Sequence, residues 1–335
     1  MKNTIKEITA ITGPSSAEEG VVKYIKKALK GSKHLEVRTD TLGNLIVRKP
    51  GKGRKIMLAA HMDEIGFIVK HIDKDGFVRF SVVGGIYPHN IVNNRVVFTN
   101  GAEGVIGIEE KDYHYKKILP TSKMFIDIGA SSKEEAEKIV SMGDLAVVKH
   151  SFSQMGNRVA SKAMDDRIGC AMLLELAKDN FKTDNDIYYV FTVQEEVGVR
   201  GAKTSAFSIE PDLGIAVDVT ATGDMPNCNI MDVHLGKGPT IKVKDSGIVV
   251  RRQVIDYMKS IAVKNKIPYQ MEILEGGATD AYAIHMTKSG ILSGVVSIPT
   301  RYIHSKSEII DMDDVNNGIK LLKAILKDDL KKRGF

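Results

Sequence analysis

Ile187-Tyr188-Tyr189-Val190-Phe191-Thr192-Val193-Gln194-Glu195-Glu196-Val197-Gly198 is a short apolar, β-branched run that ends on two adjacent carboxylates. Such a run, bounded by turn residues, reads as a buried strand of a parallel sheet, in which both faces are covered and polar alternation disappears. Ligands and catalytic groups of open α/β sheets gather beyond the carboxyl ends of the strands. Taken alone, an adjacent Glu pair is an ordinary solvated loop, because unpaired Glu is rarely buried. The rest of the chain argues otherwise. At a strand end Glu195 and Glu196 are expected to face opposite sides, since successive strand residues alternate.

Three further apolar runs end in the same way. Ile56-Met57-Leu58-Ala59-Ala60 stops on His61-Met62-Asp63, and Leu213-Gly214-Ile215-Ala216-Val217 stops on Asp218. Gly294-Val295-Val296-Ser297-Ile298 passes Pro299 into Thr300-Arg301-Tyr302-Ile303-His304-Ser305. Asp165 adds a carboxylate ahead of an apolar helix that begins at Ile168. If the strands are parallel neighbours, these groups meet on one rim of the sheet. Crowded carboxylates there would repel and raise one another's pKa, and bound divalent cations offset that repulsion. Two His with several Asp and Glu, and no thiolate, suit zinc, cobalt or manganese at a hydrolytic site better than a structural zinc. The donors suffice for two ions bridged by one carboxylate at about 3.5–4 Å, with a spare carboxylate as general base.

Outward from these strands, helix and strand alternate on both sides of a different texture. Ile5, Ile8 and Ile11 recur at helical spacing, and Ser15-Ser16-Ala17-Glu18-Glu19 supplies capping boxes for a second helix with Val21, Val22, Ile25 and Leu29 inside. Leu35 to Thr39 alternates like an edge strand. From about Gly66 to Asn157, short alternating segments separated by Gly, Asn, Asp and Pro predict an inserted barrel or sandwich. One helix interrupts it, from Ser131-Ser132 to about Met142. Beyond it, Val249 to Asn265 and Met312 to Lys331 read as helices and Tyr269 to Leu274 as extended chain. The expected fold is a three-layer α/β/α domain made of residues 1–65 and 158–335, split by a smaller all-β barrel-like domain, 66–157.

Composition bounds the function. The 335 residues are 43% hydrophobic and 27% charged, as in a soluble globular protein, and the length exceeds what one core usually fills. The net charge of +6 is spread along the chain, and the small run Lys331-Lys332-Arg333 reads as a frayed tail. A nucleic-acid binder would gather Lys and Arg on one face with aromatics between them, so no nucleic-acid partner is expected. Cys170 and Cys228 have no C-x-x-C spacing and are expected as free thiols or small buried hydrophobes. The N-terminus lacks the continuous apolar core of a secretory signal, and no window approaches the ~20 apolar residues of a membrane span. A cytoplasmic location without a membrane partner is therefore expected.

His61-Met62-Asp63, Ala163-Met164-Asp165-Asp166-Arg167, Gln194-Glu195-Glu196-Val197-Gly198, Ala216-Val217-Asp218-Val219-Thr220 and Arg301-Tyr302-Ile303-His304-Ser305 closely resemble, in order, the motifs of the tetrahedral (TET-type) dinuclear metallo-aminopeptidases. That family includes glutamyl, leucyl and lysyl types. The resemblance covers essentially the whole chain, including the position of the insert; Met164 stands where Leu is common. It implies that His61 and Asp218 hold one ion, Glu196 and His304 the other, and Asp165 bridges them. Glu195 would be the general base for a metal-bridged water, and Asp63 would accept a hydrogen bond from the far nitrogen of His61. A cis peptide between Asp165 and Asp166 is implied too. The cofactors would be two Zn2+ or Co2+ ions, the substrates short peptides cleaved at the N-terminal bond, and the assembly dimers joined through the insert into a tetrahedral dodecamer. His34, His71, His89, His114, His150, His234 and His285 fall in no shared motif and are expected as surface or packed imidazoles. Gly276-Gly277-Ala278-Thr279-Asp280 resembles a family segment near the substrate, which makes Asp280 a weak substrate-binding candidate.

Other readings use the same residues. A dinuclear-zinc carboxypeptidase or deacylase shares the ligand order but carries its extra domain after the Glu-Glu pair, whereas here the insert separates His61 from Asp165. A two-carboxylate glycosidase leaves the histidines unexplained. A non-catalytic peptide-binding scaffold would tolerate loss of the general base, and no expected catalytic position is missing.

Overall fold

Strands buried on both faces set the frame. In the computed structural model, which describes residues 1–109, 120–228 and 231–335, the chain opens with α1 (Lys2–Ala10), α2 (Glu19–Ala28), β1 (Glu36–Thr39), β2 (Leu45–Lys49) and β3 (Lys55–His61). His114 lies outside the described residues. Next come β4 (Gly66–Ile72), β5 (Val78–Val83), β6 (Arg95–Phe98), β7 (Glu103–Ile108), β8 (Met124–Asp127), the short helix α3 (Lys133–Ala136) and β9 (Leu145–Val148). Then follow β10 (Phe152–Met155), β11 (Arg158–Ser161), α4 (Met164–Lys178), β12 (Asp186–Thr192), α5 (Arg200–Ile209), β13 (Leu213–Thr220) and β14 (Thr240–Lys244). The chain closes with α6 (Arg252–Lys264), β15 (Gln270–Ile273), α7 (Asp280–His285), β16 (Leu292–Arg301), β17 (Glu308–Asp311) and α8 (Met312–Lys327).

Among the described residues the large sheet has eleven strands in the order β1-β2-β12-β3-β13-β16-β17-β11-β10, with β14 on β16 and β15 on β14. Its centre, β12-β3-β13-β16, is parallel throughout. Alternation sorts the side chains into two layers. Ile56, Leu58 and Ala60 of β3 join Ile5, Val21, Ile168 and Leu322 on one face, and Met57 and Ala59 join Ala202, Ala206 and Ile284 on the other. Every residue of β13 is buried, as expected of a strand covered by helices on both sides. The three-layer arrangement follows from that pattern.

Strands β4 to β9 close into a separate barrel in the order β4-β5-β8-β7-β6-β9. Phe67, Val69, Val78, Phe80, Val96, Phe98, Ile106 and Ile126 fill it. Ser132 accepts the Glu135 N–H and Glu135 accepts the Ser131 N–H, a capping box that starts α3. The helix is shorter than the sequence predicts. After Ala136 the chain tightens into turns, which keep Ala136 and Val140 against the barrel core.

Three other boundaries differ. Glu18 caps α2 without a side-chain bond, because the Ser15 hydroxyl is directed elsewhere. The predicted Val249 helix begins at Arg252, and α8 stops at Lys327 before a 3-10 turn over Leu330–Arg333. No helix among the described residues is long and apolar enough to cross a membrane.

Candidate metal centre

Because β12, β3, β13 and β16 are parallel neighbours, their carboxyl ends share one rim. His61 is the last residue of β3, Asp218 lies within β13, the Glu pair follows β12, and His304 follows β16. Asp165 reaches the same rim from β11 through Ala163, whose φ of 55° lies in the left-handed region. The Asp165–Asp166 peptide is cis, as the family resemblance implies, and the regular helix of α4 starts after it.

The side chains of these segments meet. His61 Nε2 lies 2.9 Å from Asp165 Oδ1, and His304 Nε2 lies 3.4 Å from Asp165 Oδ2 and 3.3 Å from Glu196 Oε2. Glu195 Oε2 stands 3.9 Å from His61 Nε2. His61, Asp165 and Glu196 form one group of donor atoms within 4.8 Å of one another, and His61, Asp166 and Asp218 form another. Glu195 and Glu196 thus turn to different histidines, but not by strand alternation. β12 ends at Thr192, Gln194 takes a φ of 56°, and the pair lies in the turn closed by the Gly198 and Val199 amides on the Glu195 carbonyl.

Asp63 organises that turn. Its carboxylate accepts the N–H groups of Glu195 at 2.9 Å and Glu196 at 3.2 Å and the Ser15 hydroxyl at 2.6 Å. Toward His61 the nearer acceptor is the backbone carbonyl of Asp63, 3.0 Å from Nδ1, with the carboxylate at 3.5 Å. The hydrogen bond expected at the side chain is therefore shared with the main chain.

The electrostatics call for added positive charge. Burial drives the carboxyls of Glu195 and Asp218 well above their ordinary range, and neighbouring acids add to it. Burial opposes protonation of His304, yet Asp165 and Glu196 push it up to about 12. His61 is likewise held well above its ordinary value, by Asp165 and Asp63, against desolvation. The pocket can balance its own charge only by keeping protons on both imidazoles and on several acids. Nitrogen and carboxylate donors aimed at one another in such a pocket fit divalent cations, and the lack of a thiolate fits borderline and hard ions.

Several residues around the centre escape a reading of the sequence. Glu308, 2% exposed, accepts the N–H groups of His304 at 2.8 Å and Asp165 at 3.1 Å. Asp166 accepts those of His61 and Gly169. Lys162 and Glu64 form a buried ion pair at 2.5 Å, and Arg167 donates to the carbonyls of Met62, Ile8, Ile11 and Gly13. Asp166 and Arg167 stand inside a quoted motif, so position was a signal for them; Glu308 and Lys162 are single charges whose partners only the fold supplies.

A cavity of about 690 Å³ opens over the centre, walled by His61, Glu195, Asp218, His304 and the loop 276–279. The barrel leans on it: a Cβ on Gly85 would meet the His304 ring at 2.9 Å, and one on Gly84 would meet Ile65 at 2.8 Å. Asp280 is not on this wall. It is buried at the start of α7, where one oxygen accepts the Thr192 hydroxyl at 2.6 Å. Burial pushes it up to about 6, chiefly by desolvation. Among the other histidines, His34 contacts the Ala177 carbonyl and His285 that of Ala281. Cys170 and Cys228 are both free.

The family is shown by comparison with known proteins. The family model described as M42 glutamyl aminopeptidase matches residues 43–321. The chain is 51% identical to a provisionally named aminopeptidase of Acetivibrio thermocellus, over 96% of this chain and 97% of that one. It is 38% identical to the lysyl aminopeptidase of Pyrococcus furiosus, over 90% and 89%. The Pyrococcus horikoshii TET1 peptidase, which can assemble into a tetrahedron or a large octahedral shell, superposes with a TM-score of 0.88 at 34% identity, covering 98% of this chain and 99% of that chain.

Proposed function

The chain belongs to the M42 glutamyl aminopeptidase family, and on that premise we propose that it is a dinuclear metallo-aminopeptidase that removes N-terminal residues from short peptides. One observation carries the proposal: Asp165 offers one oxygen to each of two histidines from different strand ends. In this reading His61 and Asp218 hold one ion, Glu196 and His304 the other, and Asp165 joins them. The ions, Zn2+ or Co2+, would supply Lewis acidity, lowering the pKa of a water and polarising the scissile carbonyl.

The chain's own residues do the proton work. Glu195 is not tied to a histidine as closely as Glu196 is, and its buried, acid-flanked carboxyl has a raised proton affinity. That suits a base that takes a proton from water and returns it to the leaving amine. Asp63 steadies both His61 and the turn that carries Glu195. The discontinuous α/β unit, expected from the sequence as 1–65 and 158–335, is the catalytic domain in this proposal, and the barrel β4 to β9 of the expected insert 66–157 joins two chains; β10 (Phe152–Met155), at the end of that range, pairs with β11 and belongs to the large sheet. The dodecamer and the tetrahedral assembly of the Pyrococcus horikoshii TET1 peptidase support a dodecamer here, built in this proposal from dimers, and a cytoplasmic location is part of the same proposal.

Metal analysis combined with acidic, basic and aliphatic aminoacyl-anilides tests the proposal. Metal-dependent release from at least one anilide, none from N-blocked peptides, is expected. A preparation that binds no divalent ion, or that trims C-termini instead, overturns it.

A further inference from the structure

We infer that Glu308 is a positioning residue that governs loading of one of the two ions, the one assigned above to Glu196 and His304. The inference rests on that ligand assignment. Glu308 opens β17 and pairs in register with Ser161 of β11, so the sheet fixes its backbone. Its side chain, 2% exposed, gives one oxygen to the His304 amide at 2.8 Å and the other to the Asp165 amide at 3.1 Å. Among the described residues no Lys, Arg or His side chain makes an ion pair with it. Both oxygens are therefore committed to holding two ligand-bearing segments in place.

The two sides of the centre depend on this unequally. His61 sits in the parallel ladder opposite Thr192 and donates its N–H to Asp166, and Asp218 lies inside β13. A regular sheet holds both. His304 lies beyond β16, in a loop where Tyr302 and His304 each have a φ of 60°, a conformation that residues with a Cβ adopt at a cost. The amide bond to Glu308 is what that loop has in place of a ladder. Removing the acceptor releases His304 and leaves His61 and Asp218 seated. Asp165, held by Glu308 and facing both imidazoles, loses alignment toward His304 first.

The test is a metal titration. The metal-stripped full-length chain is titrated with Co2+, followed by calorimetry and by cobalt absorbance, with Glu308→Gln beside it. A Gln can accept one of the two amides but turns its own N–H2 toward the other. The wild type is expected to take two ions; Glu308→Gln is expected to keep one step and weaken the other by about 10- to 100-fold, the usual scale for loss of a residue that orients a metal ligand. Thr183→Ala, which removes a hydrogen bond to the Leu326 carbonyl away from the rim, serves as the control for general destabilisation and should keep both steps. If Glu308→Gln does not fold, Glu308→Asp, whose carboxylate is drawn back by one methylene, is read in the same way. Two unchanged steps, or two steps weakened equally, overturn the inference. A wild type that binds a single ion overturns the ligand assignment itself, and that outcome is visible before any substitution is made.

Discussion

Ser15 donates its hydroxyl to Asp63 Oδ2 at 2.6 Å, joining the N-terminal segment to the carboxylate that accepts the amides of Glu195 and Glu196. The helix that Ser15 was expected to cap forms without it. Ser15→Ala should cost about 1.5–3 kcal/mol of stability, the usual range for a hydrogen bond to a charged group. It should also lower kcat while metal content stays unchanged, since the ligands are untouched. Urea unfolding and metal analysis check both halves; an unchanged kcat would show that the Asp63 turn holds its shape without the hydroxyl.

Glu195→Gln should abolish turnover and leave the bound metal nearly intact, because Glu195 is proposed to carry protons and not to ligate. The expected loss in kcat is on the order of 10²–10⁴-fold, the range for a positioned general base. Retention of more than about a tenth of wild-type kcat would sink the assignment.

Lys162 and Glu64 are buried partners, so each alone is a liability. Lys162→Met should destabilise by about 3 kcal/mol, at the low end for a broken buried pair because Arg167 stands 3.7 Å from Glu64. Adding Glu64→Gln should recover a large part of that loss. A double-mutant cycle measures the coupling; strict additivity would mean that the pair does not act as one.

Glu18 gives a pH-dependent contribution whose sign is fixed. Burial, aided by the charge of Asp63, raises its carboxyl from 4.5 to about 7. The folded state therefore holds the proton more tightly than the unfolded one, and the contribution is full below pH 4.5 and lost as pH rises to about 7. One oxygen, Oε1, accepts both the Ser16 and Gln194 amides, so Glu18→Gln keeps both bonds. The variant should lose this slope and be more stable than wild type at pH 8 by on the order of 1–3 kcal/mol. Denaturant unfolding at pH 5 and pH 8 decides it: a wild-type-minus-variant difference that does not change between the two would refute the shift.

How legible the molecule was depends on what each residue answers to. The central strands could be read because burial on both faces leaves an apolar run with few competing interpretations, and the barrel because its strands are short and punctuated. Local signals failed where tertiary contacts took the same atoms. Ser15 has the chemistry of a cap, but Asp63 offers a charged acceptor. The divergence of Glu195 and Glu196 was expected from strand alternation, yet Gln194 and the turn produce it. Glu308 could not be read at all, because its meaning lies in the register of β17 on β11, which places one carboxylate between two backbone amides. Asp280 was drawn toward the cavity by its neighbours in sequence, and the helix it begins turns it inward.

The Gly84-Gly85 corner bears on how this architecture can be recombined. The barrel has its own core and looks like a cassette that could be exchanged between relatives, but its first hairpin ends flush against the imidazole of His304 and the side chain of Ile65. A grafted barrel with any side chain at position 85 would push on the His304 ring, even if every residue of the α/β unit were kept. The seam is thus shared hardware: transplanting the barrel means transplanting those two glycines with it, and a hybrid without them would carry its defect at the rim proposed to hold the metals while both of its halves were correctly folded.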